Sequence, residues 1–304
     1  MPRRLRHLLE YALILGARAL DRLLGARLMG RLAAGLGRLA YRPLRIRADL
    51  VEAHLRQAFP DRDEPWIRRT ASDSYAHLGR EGMSLLRLSR LGREQVLAAT
   101  RIDLDELRAA LAEGSGAVVA TGHLGNWEVA GAALAARQIP LDAVAQRQAN
   151  PYFDRLINRA RARLGLRVIV KGGATTAALA ALEQGRAVAL VADQDARNRG
   201  VFVPFLGRPA STHRGAAVLA LRSGAPLFMG VMTRGRDGLY QGWLERVPCP
   251  SDGDFDERVQ ALTGAFTRAL ERAVREHPEQ YFWHHRRWKT APPAARNGPL
   301  PQSV

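Results

Sequence analysis

The stretch Ala117-Val-Val-Ala-Thr-Gly-His-Leu-Gly-Asn-Trp-Glu128 decides the fold, because it joins an apolar strand to a helix through a glycine-containing turn. The apolar run at 117–120 predicts a buried strand, and Asn126 has the side chain of a helix N-cap. In open α/β sheets, functional groups gather where a strand ends and the next helix begins. The turn therefore predicts a functional site that contains His123 and Glu128.

Beyond this stretch, strand and helix patterns alternate along the chain. We expect strands over 117–120, 167–170, 187–192, 226–232 and 239–247. We expect helices over 126–136, 150–164, 174–184, 213–222 and 254–276, and Asp254 with Glu257 has the capping-box spacing for the last of them. This order predicts an α/β fold with a largely parallel central sheet flanked by helices, preceded by a helical N-terminal region.

The chain divides into three predicted regions. Residues 1–40 form a basic helical region, 41–289 form the α/β domain, and 290–304 form a disordered tail. The apolar run near the N-terminus is too short and too charged to span a bilayer, which needs about 20 mostly apolar residues. Two interpretations of this region stay open: an amphipathic helix that lies in a membrane interface, or a core-facing helix with a solvated arginine face.

The chain is strongly basic, with 46 Lys and Arg against 29 Asp and Glu, a formal charge of +17. Such an excess favours an anionic partner, which would be nucleic acid, an acidic protein or a phosphate-bearing membrane surface. An arginine-rich genome explains the excess equally well, because Lys171 and Lys289 are the only lysines. The single cysteine, Cys249, excludes an internal disulfide and a Cys-ligated zinc site. A recognisable nucleic-acid-binding motif is absent from the sequence, so we expect no nucleic-acid partner.

His123 and Glu128 are five positions apart, so a continuous helix would place them on different faces. They meet only if His123 lies in the turn and Glu128 in the first helical turn, where the helix dipole favours an ionised carboxylate. An ionised glutamate that contacts a histidine fixes the imidazole tautomer and raises its basicity, which activates a hydroxyl group. The alternative is a capped helix with an incidental histidine.

The motif His123-Leu-Gly-Asn-Trp-Glu128 resembles the His-x4-Glu signature of the bacterial lipid A biosynthesis acyltransferases, a branch of the glycerolipid-type acyltransferases. Further segments resemble this family in the same order along the chain. They are His54-Leu-Arg-Gln-Ala-Phe-Pro60, Asn150-Pro-Tyr-Phe-Asp154, Ala192-Asp-Gln-Asp195, Gly200-Val-Phe-Val-Pro-Phe-Leu-Gly207 and Tyr281-Phe-Trp-His-His-Arg-Arg-Trp-Lys289. Several motifs in order are far more specific than one.

The resemblance implies transfer of a fatty acyl chain from an acyl carrier protein thioester, or from acyl-CoA, to a hydroxyl of a phosphorylated glycolipid. In the lipid A case, that hydroxyl belongs to a 3-hydroxyacyl chain of the precursor. The resemblance also implies a location at the cytoplasmic face of the inner membrane, contact with the membrane surface, and no metal or other cofactor.

The same resemblance assigns roles to residues. His123 would be the general base and Glu128 its orienter, while Asp193 matches the family's important aspartate. The family's site arginine would be Arg161, although its neighbours Arg159 and Arg163 are alternatives. The other expected substrate-binding residues are Asn126, Arg147, Gln194 and Arg286.

Other interpretations remain open. The acceptor could instead be a phosphatidylinositol mannoside or a lysophospholipid, and a non-enzymatic basic protein that binds membranes or nucleic acid is a third class. Arg161 could be one more solvated arginine, and Asp193 a helix cap or a partner of Arg197. The run 200–207 is expected to line an acyl or sugar pocket or else to lie in the core. The Trp- and Arg-rich segment 283–289 suits the headgroup level of a bilayer.

Overall fold

The structure is a computed structural model that describes residues 2–293. Its helices are α1 (Arg3–Tyr41), α2 (Ala48–Ala58), α3 (Glu64–Leu88), α4 (Arg93–Ala99), α5 (Asp105–Ala112), α6 (Trp127–Ala136), α7 (Pro151–Arg163), α8 (Ala174–Glu183), α9 (Gly215–Ser223) and α10 (Phe255–Glu276). Its strands are β1 (Thr100–Arg101), β2 (Ala117–Thr121), β3 (Leu141–Ala145), β4 (Arg167–Val170), β5 (Ala187–Val191), β6 (Val201–Phe205), β7 (Arg208–Thr212), β8 (Leu227–Arg234) and β9 (Tyr240–Val247). Single 3-10 turns cover Arg197–Arg199 and Pro278–Gln280.

The centre of the fold is a seven-stranded sheet with the strand order β1-β9-β8-β2-β5-β3-β4. Neighbouring strands are parallel except β8 and β9, which are antiparallel. Helices α8, α9 and α10 pack on one face, and α5 and α6 pack on the other. The predicted fold class, a largely parallel sheet flanked by helices with a helical N-terminal region, is confirmed.

The strand β2 shows why the sequence predicts this sheet so clearly. Val118 and Ala120 lie in the apolar cluster on one face, and Ala117 and Val119 lie in the cluster on the other. A strand that is buried on both faces reads as a continuous apolar run. Each predicted strand and helix between 117 and 276 is present, with ends within two residues of the prediction.

The register of the sheet places the site. Strands β2 and β5 are parallel neighbours, and Thr121 at the end of β2 pairs with Val191 at the end of β5. The carboxyl ends of parallel neighbours lie at the same edge of a sheet. His123 and Asp193, which follow these two strands, therefore emerge side by side.

The run 200–207 belongs to the core, so its interpretation as a pocket-lining loop is wrong. It forms β6 and most of a two-stranded antiparallel hairpin with β7, which turns through Leu206 and Gly207. Both turn residues have positive φ angles, 50° and 75°, as the tight turns between twisted strands require. The hairpin packs against α10, and Phe205 is fully buried.

Most of the segment 283–289 packs inside the protein, with only Arg286 and Lys289 exposed, which contradicts its expected place at the headgroup level of a bilayer. Trp283 is 1% exposed, and its Nε1 donates a hydrogen bond to the carbonyl oxygen of Pro278 at 2.7 Å. Arg287 is 2% exposed and donates to the Ser211 carbonyl at 2.6 Å and to Thr212 Oγ1 at 2.5 Å. Arg287 therefore connects the closing segment to β7, and Trp283 connects it to the 3-10 turn that precedes it.

Helix α1 is long but not continuous, because Gly25 has the non-helical angles φ 77° and ψ 167°. Its second half packs closely on α3, where a Cβ at Gly37 would lie 2.1 Å from the Tyr75 carbonyl oxygen. Asp21 of α1 is 2% exposed and accepts hydrogen bonds from Arg87 and Arg90. Arg87 lies in the last turn of α3, and Arg90 follows that helix. Part of α1 therefore faces the core, as one interpretation of region 1–40 predicts.

Two further expectations about the terminal regions concern a membrane-spanning helix and the C-terminal tail. Across residues 2–293, none of the helices is both long enough and apolar enough to cross a bilayer. The predicted tail at 290–304 lies outside the described residues from 294 onward.

Candidate active site

His123 and Asp193 form a buried pair at the carboxyl ends of β2 and β5. The Asp193 carboxylate accepts two hydrogen bonds from His123, one from the backbone N–H at 2.8 Å and one from ring Nδ1 at 2.7 Å. The side chain of Asp193 is 3% exposed and that of His123 is 17% exposed. This double contact fixes both the position of the turn and the orientation of the imidazole ring.

The electrostatics of the pair favour charge on both partners. Burial by itself would raise the pKa of Asp193, but the charge and hydrogen bonds of His123, together with the charge of Arg287, lower it to about 2. Burial by itself would lower the pKa of His123, but the Asp193 carboxylate outweighs it and raises that pKa above its usual value. Asp193 is therefore an anion at neutral pH and holds the Nδ1–H tautomer of His123.

The second ring nitrogen of His123, Nε2, is the one that is available to accept a proton. With the proton on Nδ1, Nε2 carries a lone pair, and the side-chain amide nitrogen of Gln194 lies 3.2 Å from it. Trp127 packs edge-on against the imidazole, with ring centroids 4.5 Å apart. The chain thus presents an oriented base whose acceptor atom faces a single polar amide group.

Glu128 does not contact His123 through a hydrogen bond, so the sequence-based pairing of these two residues is corrected. Its carboxylate accepts two hydrogen bonds from Arg161 of α7, from Nε at 3.1 Å and from Nη2. Arg161 also donates to Asn158 Oδ1 at 3.0 Å. The physical reason is that Glu128 lies in the first turn of α6, where it faces α7, while Asp193 already occupies Nδ1 of His123.

The neighbouring arginines, Arg159 and Arg163, do not bond to Glu128 as Arg161 does. Arg163 donates to the carbonyl oxygens of Ser89 and Leu91, at 3.0 and 3.1 Å. Among the described residues, Arg159 forms no hydrogen bond to Glu128 or to His123. Of the three arginines that the sequence offered, the structure thus brings Arg161 to Glu128. The remaining interpretation of Asp193, as a partner of Arg197, is wrong, because Asp193 bonds to His123.

Asn126 has a structural task and also lines the small cavity described below, so its expected role in substrate binding stays a prediction. Its Oδ1 accepts from the Val129 N–H at 3.0 Å and so caps α6, while its Nδ2 donates to Glu81 at 2.7 Å. Glu81 of α3 is 8% exposed and also accepts from Arg234 and from Tyr240, each at 2.6 Å. These three residues anchor the turn from beneath, and no local spacing in the sequence could have identified them.

The turn itself is locked by backbone contacts. Gly125 has a φ of 62°, and a Cβ there would lie 1.9 Å from the Met232 carbonyl oxygen, so only glycine fits. The Asn126 N–H donates to that same carbonyl at 2.8 Å, and the His123 carbonyl accepts from the Phe282 N–H at 3.0 Å. The closing segment and β8 therefore hold the histidine from two sides.

Two cavities meet at His123, Trp127 and Glu128. The large cavity, of about 500 Å³, runs between α6 and the sheet past small residues such as Gly131, Ala143, Ala189 and Gly230. Its lining also includes the apolar side chains Ile102 and Leu244. Its shape and lining suit a flexible apolar chain.

The small cavity, of about 150 Å³, lies on the side of α3 and the closing segment. Leu78, Gly82 and Leu85 of α3 line it together with Phe282. A base that is reached from two cavities can serve a reaction between two bound molecules.

The other expected site residues lie near the rim. Gln194 is at the pair, as described, whereas Arg147 and Arg286 are exposed. Arg286 lines a third, basic cavity beside Gln194, and Arg147 lines neither this cavity nor the large and small ones. Residues 2–293 contain no group of three or more His, Cys, Asp or Glu side chains arranged to hold a metal ion.

Comparison with known proteins gives a consistent result. The family described as bacterial lipid A biosynthesis acyltransferase matches residues 2–290. A phosphatidylinositol mannoside acyltransferase of Mycobacterium tuberculosis is 32% identical over 218 residues, which are 70% of this chain and 66% of that protein. The corresponding protein of Mycolicibacterium smegmatis is 34% identical over 207 residues, 65% of this chain and 66% of that one.

A third relative covers more of the chain. The lipid A biosynthesis lauroyltransferase of Escherichia coli K12 is 30% identical over 271 residues, 86% of this chain and 85% of that protein. The chain thus spans about two thirds of the mycobacterial relatives and most of the enterobacterial one.

Proposed function

Because the chain belongs to the bacterial lipid A biosynthesis acyltransferase family, we propose that it transfers a fatty acyl chain from a thioester to a hydroxyl group of a lipid A precursor. The observation that carries the proposal is the oriented His123–Asp193 pair at the meeting point of two cavities. One cavity suits the acyl chain of the donor, and the other admits the acceptor to the same base.

The reaction follows from this geometry. His123 Nε2 takes the proton of the acceptor hydroxyl as its oxygen forms a bond to the thioester carbonyl carbon. Collapse of the tetrahedral intermediate breaks the C–S bond, and the imidazolium returns the proton to the departing thiolate. Asp193 stays ionised throughout and stabilises the imidazolium.

Glu128 and Arg161 have a different task in the proposal. They line the large cavity next to His123, and their bidentate contact joins α6 to α7. We assign them to the positioning of the substrates at the cavity entrance. A rigid guanidinium–carboxylate pair supplies fixed charges there without taking part in proton transfer.

The proposed donor is an acyl carrier protein thioester, with acyl-CoA as the alternative. An acyl carrier protein is acidic, and a chain with a formal charge of +17 attracts an acidic partner. The proposal requires no metal or redox cofactor, because a thioester is already activated.

We also propose that the protein acts on the membrane surface, at the cytoplasmic face of the inner membrane. Leucines along α1 are exposed, among them Leu13 at 76% and Leu23 at 80%. They alternate with arginines, and exposed leucines beside arginines are typical of helices that lie in a bilayer interface.

A second acceptor class has a specific observation in its favour. The two mycobacterial relatives, which are named for phosphatidylinositol mannosides, are slightly more identical to this chain than the Escherichia coli lauroyltransferase is. Both classes of acceptor combine sugars, phosphate and acyl chains, and the base serves either hydroxyl equally well.

The test is intact-lipid mass spectrometry in a strain with under-acylated lipid A that expresses the wild type or Asp193→Asn. We expect a gain of one acyl mass on lipid A with the wild type only. If the wild type is well expressed in membranes and adds nothing, the lipid A assignment fails. The same protein would then be assayed with phosphatidylinositol mannoside acceptors.

A further inference from the structure

A third cavity, here called the basic basin, opens next to the catalytic pair. It has a volume of about 480 Å³ and is lined by the cationic residues Arg47, Lys171, Arg197, Arg286 and Lys289. It shares Lys171, Gln194 and His213 with the large cavity, and it shares Phe282 and His284 with the small one. The basin therefore adjoins the routes of both proposed substrates.

The five cations of the basin outnumber its one lining carboxylate, Asp195, which accepts a hydrogen bond from Thr290 Oγ1 and forms no ion pair with any of them. Many arginines of this chain are paired with carboxylates, such as Arg161 with Glu128 and Arg186 with Asp142. Among the described residues, by contrast, no carboxylate lies within 4.0 Å of any of the five basin cations. Like charges gathered around one cavity repel one another, and a bound anion relieves that repulsion.

The position of the two lysines is a second indication that the basin binds an anion. The chain has 46 basic residues, and both of its lysines line this basin. Arginine enrichment of the whole chain cannot account for two lysines that are 118 positions apart and converge on one cavity. A lysine ammonium is a compact charge with three donors, which suits a phosphate group that is approached from several directions.

His284 supplies an independent observation. It is 8% exposed, lines the basin, and neither of its ring nitrogens has a hydrogen-bond partner within residues 2–293. Burial lowers its pKa to about 4, with help from the charges of Arg47 and His54. A neutral ring carries one N–H, so the wall of the basin contains a buried donor without a partner, which costs free energy.

We propose that the basic basin is a phosphate-binding subsite, in which Lys171 and Lys289 hold a phosphate group of a substrate while its reacting end lies at His123. This inference rests on the proposed function and deepens it. The phosphate has two possible sources, the phosphopantetheine arm of the donor or the phosphorylated sugar of the acceptor, and the same chemistry recognises both.

The experiment measures binding without turnover, so its result does not depend on acyl transfer. Isothermal titration calorimetry of the full-length protein would use two matched pairs of probes. These are 4′-phosphopantetheine against pantetheine, and glucosamine 1-phosphate against glucosamine. The double variant Lys171→Gln with Lys289→Gln removes two exposed charges and should fold normally.

A matched control is available at the opposite edge of the sheet. Arg167 is exposed and is the first residue of β4. Arg246 is exposed and lies in β9, where it pairs with Phe228 near the amino end of β8. The double variant Arg167→Gln with Arg246→Gln therefore makes the same change in net charge far from the basin.

We expect the wild type and the control to prefer at least one phosphorylated probe over its unphosphorylated partner by about tenfold or more. The lysine variant should lose that preference, and the probe pair that shows it identifies the substrate that supplies the phosphate. Equal binding of phosphorylated and unphosphorylated probes by the wild type would overturn the proposal. So would a lysine variant that binds like the control. Failure of the mass-spectrometric test with retained phosphate preference would instead remove only the lipid A precursor as the acceptor.

Discussion

Two ion pairs border the large cavity, and they are built differently. His123 and Asp193 follow two neighbouring parallel strands, and the Asp193 side chain is 3% exposed. Glu128 and Arg161 join two helices, and their side chains are 16% and 13% exposed. The first pair is positioned by the register of the sheet, whereas the second depends on how α6 and α7 pack.

From this difference we infer that the His123–Asp193 pair performs the chemistry. A base must be held in one orientation, and the sheet register allows Asp193 almost no freedom. A helix-to-helix contact at a cavity entrance can adjust to a substrate. Substitutions in the two pairs test this division of tasks, in which His123 and Asp193 transfer the proton and Glu128 and Arg161 position the substrates.

The largest effect is expected at the buried pair. His123→Ala and Asp193→Asn should each lower kcat by about 10³-fold, because general-base catalysis contributes about 10²- to 10⁴-fold. The double variant should be little worse than either single one, since the two residues act as a unit. Steady-state kinetics of the purified protein measures this, with circular dichroism to check the fold.

Asp195→Asn is the matched control for Asp193→Asn. Its carboxylate lies two positions away and accepts from Thr290 Oγ1 at 3.0 Å instead of from the histidine. We expect a loss in kcat below tenfold for this variant. Equal losses at both aspartates would contradict the assignment of Asp193.

A smaller effect is expected at the pair of helices. Glu128→Gln and Arg161→Lys should each lower kcat/KM by about 10²-fold, because the bidentate contact that positions the entrance is lost. Glu128→Gln combined with Arg161→Gln should be no worse than Glu128→Gln alone, because that single variant leaves the partly buried Arg161 charge unpaired. If Glu128 instead orients His123, its substitution will match the loss at Asp193.

The smallest effect is a displacement of the pH profile. The active His123 is neutral, so kcat/KM should fall as the pH drops below its pKa, which Asp193 raises above 6.5. Asp193→Asn removes this stabilisation of the imidazolium, so the acidic limb should move to lower pH. Glu128→Gln should leave the limb in place, and a displacement by that variant would reverse the division of tasks.

Some elements could not be predicted from the sequence, for physical reasons. β3 has only five residues and includes Asp142, a charge that looks unsuitable for a buried strand. Arg186, which directly precedes β5, neutralises it with hydrogen bonds at 2.7 and 3.1 Å. The β6–β7 hairpin turns through Leu206-Gly207, whereas turns of this kind usually carry Asn or Gly at the first position.

The sequence by itself determined the alternation of strands and helices, because apolar runs and caps are local signals. It determined that His123 follows a strand, that Glu128 enters a helix, and that Asp254 and Glu257 form a capping box, which is observed with both hydrogen bonds at 2.9 Å. It also determined the family resemblance, since the motifs stand in order along the chain.

Only the tertiary structure decided which of these residues meet. The partner of His123 is 70 positions away and the partner of Glu128 is 33 positions away, although the motif places the two residues together. Sheet register and helix packing set such long-range contacts, and neither leaves a local signal in the sequence. The same holds for the basic basin, where two lysines from distant segments converge.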